Sequence, residues 1–359
     1  MSGLTALSPR ASIVPGLFLL LSIVACTQAQ RPSPGSAGPQ DFIPVRNHGW
    51  LTGLQEPQAD WHPDSRQIVS RARNGLALYR EGQQNARVFT YEDGRQPWDP
   101  YWLNHREIVF GPRPEVSRDD QSRIVLPRDG LMITTQNSDR SLGEPRPLSD
   151  IGYRPRPWPG QGILASAGDA IHLFSPRGQR RLYEAGFDPQ PDPLGPALAW
   201  RDTPATGADF WTGIEGHGSY LVRWGPGQVS QVSGGMEAAW APWGGIFITV
   251  IPAEADKAAW RQGPTSLVYL SGPDAVPQQI AEDVHSPHVH PSQPVVAVVS
   301  RDGRVLIIGM DGSQGPRGVS DAGTRPRWSP DGTRLLYEED TDNPLIRWLG
   351  VQVFRIIGD

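Results

Sequence analysis

One cysteine, Cys26, and one lysine, Lys257, stand in a chain of 359 residues. A lone thiol cannot build a disulfide framework, and the near absence of lysine rules out a phosphate loop of the Gly-x-x-x-x-Gly-Lys type. Basic excess is missing too: 33 cations face 38 carboxylates for a net charge of -5, which argues against a nucleic-acid partner. Nearly all the cations are arginine, and pieces such as Arg177-Gly178-Gln179-Arg180-Arg181 read as a solvated hairpin face. The apolar run Ile13–Ala25, about 13 residues, is short for a membrane span. No sustained helical periodicity is present. No Gly-x-Ser-x-Gly elbow occurs, Gly216-His217-Gly218-Ser219 being the nearest approach, and no α/β domain follows the repeats, so peptidase chemistry is excluded. Asp302-Gly303 and Asp311-Gly312 lack a ladder of alternating acids and read as hairpin turns, not calcium loops.

Turn residues, by contrast, abound. Forty glycines and 37 prolines punctuate short β-prone runs such as Gly245–Val250 and Pro294–Val299, the pattern of an all-β chain. The phrase Pro326-Arg327-Trp328-Ser329-Pro330-Asp331-Gly332 leads into Thr333-Arg334-Leu335-Leu336-Tyr337. It describes a hairpin: an aromatic ends one strand, proline pre-sets φ, glycine accepts φ > 0, and a β-rich partner follows. Ala59-Asp60-Trp61-His62-Pro63-Asp64-Ser65 repeats it with serine in place of glycine, and Pro100-Tyr101-Trp102-Leu103-Asn104-His105 does so more loosely. Further copies surround Trp158, Trp200 and Trp240, and in Pro287-His288-Val289-His290-Pro291 a valine takes the tryptophan place.

Counted at Trp61, Trp102, Trp158, Trp200, Trp240, Val289 and Trp328, the intervals are 41, 56, 42, 40, 49 and 39 residues. Units of this size cannot bury their apolar faces alone and must stack or close into a ring. Joining the ends, Asp41 to Asp359, gives one more interval of 52 residues, so 42–359 reads as a single closed ring. Seven units are expected, six if one loose copy fails. The segment Phe42–Thr52 would complete the last sheet beside Val351–Ile357, hiding an edge that would otherwise aggregate.

These phrases resemble TolB-type β-propeller repeats, whose hallmark is Trp-Ser-Pro-Asp-Gly. The resemblance implies four-stranded blades around a central channel, and a TolB-like role would imply a peptide tail or partner lipoprotein docked there. The repeat tryptophans Trp61, Trp102, Trp200, Trp240 and Trp328 are expected to pack between blades.

Residues 1–25 form a separate object, an export signal. Ile23-Val24-Ala25-Cys26 resembles a bacterial lipobox, which implies lipidation of Cys26 as the mature N-terminus. Residues 26–41, rich in proline, glycine, serine and glutamine, read as a flexible tether. Thr27 stands where some two-membrane bacteria place the aspartate that retains lipoproteins at the inner membrane, which implies the outer membrane if the source has one.

Two sets of residues are candidates for chemistry. His288 and His290 would share one face of a strand with His285 within reach, a pattern suited to a divalent metal, and some lyase-like relatives of the TolB family hold a catalytic metal with histidines near the axis. No further carboxylate or thiol ligand accompanies them locally, and polar lining of a channel mouth is the plainer reading. Trp98 with Trp102, or Trp240 with Trp243, could offer an exposed ring to a sugar or peptide. The sequence therefore predicts a monomeric, lipid-anchored envelope propeller that binds a protein, peptide or glycan without cofactor. The alternative is a metal-assisted lyase or hydrolase using the three histidines.

Overall fold

In the computed structural model, 31, 33–52, 57–93, 96–112, 117–118, 124–125, 130–167, 170–183, 186–201, 219–252, 263–310, 315–341 and 347–357 are described. The signal and Cys26 lie outside these residues. Seven four-stranded antiparallel sheets follow one another along the chain, each a blade whose first strand lies innermost. Blade 1 comprises Asp60–Trp61, Gln67–Ala72, Gly75–Arg80 and Arg87–Thr90; blade 2, Pro97–Trp102, Glu107–Pro112, Met132–Thr135 and Arg146–Pro147. Blade 3 comprises Tyr153–Trp158, Gly162–Ala167, Ala170–Ser175 and Gly178–Tyr183; blade 4, Phe187–Pro191, Leu198–Arg201, Ser219–Gly225 and Gln228–Ser233. Blade 5 comprises Gly235–Trp240, Ile246–Val250, Ser266–Leu270 and Gln278–Glu282; blade 6, Val284–Val289, Val295–Ser300, Val305–Gly309 and Arg317–Ser320. Blade 7 is built from Thr324–Trp328, Arg334–Asp340 and Arg347–Ile356, with Phe42–Leu51 as its outermost strand. The chain is thus a seven-bladed β-propeller.

Closure is by the expected splice. Phe42–Leu51 pairs antiparallel with Arg347–Ile356 from Phe42 opposite Ile356 to Leu51 opposite Trp348, with one bulge between Pro44 and Arg46. Hydrophobic residues fill the seams between neighbouring blades, as flat sheets with two apolar faces require. Trp328, Leu335 and Tyr337 of blade 7 pack on Val295, Ala297 and Ile307 of blade 6, and Phe42 and Phe354 complete that seam. Trp61, Ile68 and Tyr79 of blade 1 pack on Leu336, Leu349 and Val351 of blade 7.

The hairpin turns behave as their sequences dictate. Gly332 sits at φ 72°, and a Cβ there would lie 2.4 Å from the His290 ring, so glycine is required twice over. Its counterpart in blade 1, Ser65, accepts the same left-handed backbone at φ 61° and receives the Asp331 N–H on its hydroxyl at 3.0 Å, tying two neighbouring turns together.

Trp61, Trp102, Trp240 and Trp328 all end first strands and are buried. Two loose copies differ from the expectation. Trp200 lies on the second strand of blade 4, where Pro191 ends the first, and it stacks on Tyr183 at 4.1 Å. Trp158 ends its first strand but stands one residue later in register, opposite Gly162, so it faces the following blade and donates its indole N–H to Gly195 O at 3.0 Å. Together these two rings fill the seam between blades 3 and 4.

The stretch expected to be tether is partly built into the fold. Gly35 N–H donates to Ser292 O at 2.7 Å, Ala37 N–H donates to Gln293 Oε1 at 3.1 Å, and Ala37 is buried in the seam of blades 6 and 7. Arg31 pairs with the fully buried Asp192 of blade 4. Backbone pairing and an ion pair to a buried carboxylate outweigh the low hydrophobicity on which the tether reading rested.

Candidate functional site

A bulge interrupts the first strands of blades 2, 3, 4, 6 and 7 at one register position, and blade 1 adopts the same left-handed backbone just ahead of its first strand. Gln58, Asp99, Arg154, Asp188, Ser286 and Arg325 occupy that place in six blades with φ between 45° and 53°. Glu237 holds the corresponding place in blade 5. A proline follows in five of these blades: Pro100, Pro155, Pro189, Pro287 and Pro326. Left-handed backbone before proline is uncommon and persists only where the surroundings fix it. Here it turns one side chain per blade toward the axis, and the residue after next lines a second level. The first ring is therefore Gln58, Asp99, Arg154, Asp188, Glu237, Ser286 and Arg325; the second is Asp60, Tyr101, Arg156, Gln190, Ala239, His288 and Arg327.

Several ring side chains staple one blade to the next. Gln58 Oε1 accepts the Asp99 N–H at 3.0 Å and Glu237 Oε2 accepts the Ser286 N–H at 2.6 Å, both in the first ring. In the second, Asp60 Oδ2 accepts the Trp102 N–H and His288 Nδ1 the Trp328 N–H, each at 3.1 Å. Return bonds come from the repeat tryptophans: Trp61 donates its indole N–H to Arg327 O at 2.9 Å and Trp240 to Gln190 O at 2.8 Å, in each case a second-ring carbonyl of the preceding blade. An aromatic with a polar handle suits that place because a plain hydrocarbon would leave the carbonyl unpaired.

The remaining ring chemistry is ionic. Arg154 lies 3.9 Å from Asp99 and 3.6 Å from Asp188, and Arg156 lies 3.5 Å from Asp188. Arg327 contacts Asp60 at 3.4 Å and donates to Tyr101 Oη at 3.0 Å, while the Arg156 guanidinium sits 4.7 Å from the Tyr101 ring centre. Tyr101 and Arg327 belong to blades 2 and 7, so their bond spans the inner edge of blade 1, where Asp60 joins it. Burial pushes the Asp60 carboxyl up, against the pull of Arg327 and the Trp102 N–H. Burial also works against the charge on Arg327, but Tyr101 and Asp60 override it and hold the guanidinium more firmly protonated than usual.

The three candidate metal ligands are not brought together. His290 is fully buried, its Nδ1 accepts the Ser292 and Gln293 N–H groups at 3.1 and 2.8 Å, and Nε2 donates to Gly332 O at 2.9 Å. His62 does the same in blade 1, accepting from Asp64 N–H and reaching His105 O of the next blade, so both rings are turn braces. His288 Nδ1 is occupied by the Trp328 N–H, and its pKa is lowered to about 3 by burial first, then by Arg327 and His290. His285 Nδ1 lies 2.9 Å from Ser286 Oγ. Among the described residues no group of three or more His, Cys, Asp or Glu converges to hold a metal. Neither aromatic pair forms a platform: Trp98, Trp102 and Trp240 are buried, Trp98 under the Arg71 guanidinium at 4.0 Å, and Trp243 alone of the four is partly exposed.

Sequence reasoning missed the two rings. The repeated residue-before-proline at the head of each blade was the available signal.

No protein-family model matches the chain, and no curated protein matches it. Solved structures do share its fold. An oligogalacturonate lyase in complex with manganese matches at 9% identity and TM-score 0.57, over 89% of this chain and 99% of that one. YCF48 bound to D1 peptide matches at 14% identity and TM-score 0.55, over 90% and 99%, and the mitotic checkpoint complex at 10% and 0.56, over 91% and 97%. At such identities the likeness is one of fold.

Proposed function

We propose that this chain is an exported, lipid-anchored propeller of the cell envelope, held through Cys26, that acts as a non-catalytic binding platform for a protein or peptide partner. A glycan is the less favoured ligand, because three of the four tryptophans that would have stacked a sugar, Trp98, Trp102 and Trp240, are buried. The observation that carries the reading is the first ring, where Asp99, Arg154, Asp188, Glu237 and Arg325 form a fixed array of both charge signs at one channel mouth. Such an array fits the mixed side chains of a polypeptide and supplies register at little cost in reorganisation. Partner-binding in YCF48 bound to D1 peptide is consistent with this use of a propeller, and TolB-like docking of a peptide tail is the family analogy. A metal-assisted lyase reading gains nothing from the fold shared with the manganese-bound lyase, since both ring nitrogens of His290 and Nδ1 of His288 are engaged by the backbone and no three ligand residues converge among the described residues.

The test is affinity capture from detergent-solubilised envelope with the full chain as bait, beside an Arg154→Ala/Arg325→Ala double variant. A partner retained by the native chain and lost from the variant, at unchanged melting temperature, supports the platform; equal retention by both overturns the assignment to the first ring. Cys26→Ala should release the protein from membranes.

A further inference from the structure

The two faces of the propeller differ. One carries the turns joining first to second and third to fourth strands; the opposite face carries the second-to-third connections and the entries to the first ring. On the turn face, blades 1, 2 and 7 present charged turns: Asp64 and Arg66, Arg106, and Asp331 with Arg334. Blades 4 and 5 do not. Their turns read Asp192-Pro-Leu-Gly-Pro-Ala197 and Ala241-Pro-Trp-Gly-Gly245, followed by Ser271-Gly-Pro-Asp-Ala-Val-Pro277. Leu194 is 38% and Val276 87% exposed, Pro193, Pro196 and Pro277 are exposed, and Trp243 is partly so. Asp192 is wholly buried by its pairing with Arg31, leaving Asp274 as the one charge these three turns show to solvent.

The path of the N-terminal segment meets this apolar sector. Arg31 is latched on the blade 4 turn, and its side chain also lies 3.6 Å from where a Cβ on Gly244 would stand in blade 5. Only Thr27–Gln30 separate Arg31 from Cys26. Five chain steps reach at most about 18 Å even when fully extended. Apolar turns gathered where a short lipid tether attaches are placed as an interfacial contact would be, with tryptophan among them.

We infer that the turn face of blades 4 and 5, through Leu194, Trp243 and Val276, rests against the lipid surface, and that the Arg31–Asp192 latch holds it there. This inference builds on the Cys26 anchor under Proposed function. It sets the orientation of the ring: the first-ring mouth opens on the opposite face, away from the bilayer, where a partner can reach it.

The experiment uses the full lipidated chain in vesicles of phosphatidylethanolamine and phosphatidylglycerol. Because Cys26 is the only native cysteine, acylation leaves an introduced thiol unique for labelling. Val276→Cys and, on the opposite face, Arg73→Cys each receive an environment-sensitive fluorophore, with a nitroxide-bearing lipid as quencher. The label at position 276 should be quenched at least about threefold more than that at 73, as expected for side chains sunk into the headgroup region. Arg31→Glu should keep flotation with the vesicles yet narrow that difference. Vesicle-bound protein with equal quenching at 276 and 73 overturns the orientation while leaving the anchor intact. Failure of the native chain to float with vesicles removes the anchor itself, and the inference with it.

Discussion

Arg327 of blade 7 and Tyr101 of blade 2 are joined by a 3.0 Å hydrogen bond that skips the blade between them. Side chains on the two blades that flank a third can meet only over its inner edge, so this pair spans the head of blade 1. Asp60, from the blade that is skipped, sits 3.4 Å from the same guanidinium and completes the group.

Removing members of that group should have unequal costs. Tyr101→Phe deletes one hydrogen bond and is expected to lower stability by about 1 kcal/mol. Arg327→Ala strands the buried Asp60 carboxyl without its cation and should cost about 3 kcal/mol, because an uncompensated buried charge is worse than a missing pair. Denaturant unfolding of both variants and the double mutant measures the coupling. If Arg327→Ala proves no worse than Tyr101→Phe, the Asp60 contact carries no weight.

The repeat tryptophans should separate into two classes. Trp61 and Trp240 donate their indole N–H groups to second-ring carbonyls, whereas Trp102 and Trp328 have indole nitrogens that find no partner among the described residues. Replacement by Phe at Trp61 or Trp240 should therefore cost about 1 kcal/mol more than at Trp102 or Trp328, the hydrogen bond being lost on top of packing. Equal losses at all four, in the same urea titrations, would show that packing alone governs them.

How legible these features were in the sequence follows from what each residue answers to. Turn chemistry is local, so Trp61-His62-Pro63-Asp64 and Trp328-Ser329-Pro330-Asp331-Gly332 announced their hairpins and the ring closure. Trp158 and Trp200 misled because one tryptophan resembles another in sequence, whereas a shift of one register position turns the ring to the other face of the sheet. His288 and His290 looked like ligands because spacing shows which side chains share a face but not that backbone N–H groups of the neighbouring turn and blade already occupy them. The channel rings depend on backbone with positive φ before proline, a conformation that propensity argues against and only the closed ring enforces.

Acid should loosen the seam between blades 6 and 7. His288 has its pKa lowered to about 3 in the folded chain, against 6.5 for the free side chain. Between those values the unfolded chain binds the proton and the folded one does not, so stability falls as pH drops from about 6.5 to about 3 and is fully present above it. His288→Asn keeps an acceptor for the Trp328 N–H but cannot titrate, and its melting temperature should vary less across that window than the native protein's. An unchanged slope would place the acid sensitivity in other groups.

Ring closure rests on a close approach that admits no side chain. Gly49 stands directly opposite Gly350 in the splice, and a Cβ on Gly49 would lie 2.0 Å from Leu349 O and 2.6 Å from the Trp348 ring. Backbone cannot yield there without breaking the pairing of Phe42–Leu51, and on the partner strand a Cβ on Gly350 would lie 2.5 Å from the Tyr337 ring. Gly49→Val is expected to cost about 3 kcal/mol or to free the outer strand entirely, exposing an unpaired edge on blade 7. Val45→Thr, at a position 62% exposed on the same strand, should be near neutral and serves as the control. Limited proteolysis near the N-terminus, together with light scattering on warming, distinguishes a released strand from a merely strained one. A Gly49→Val protein as stable and protease-resistant as the control would mean that the splice does not hold the ring shut.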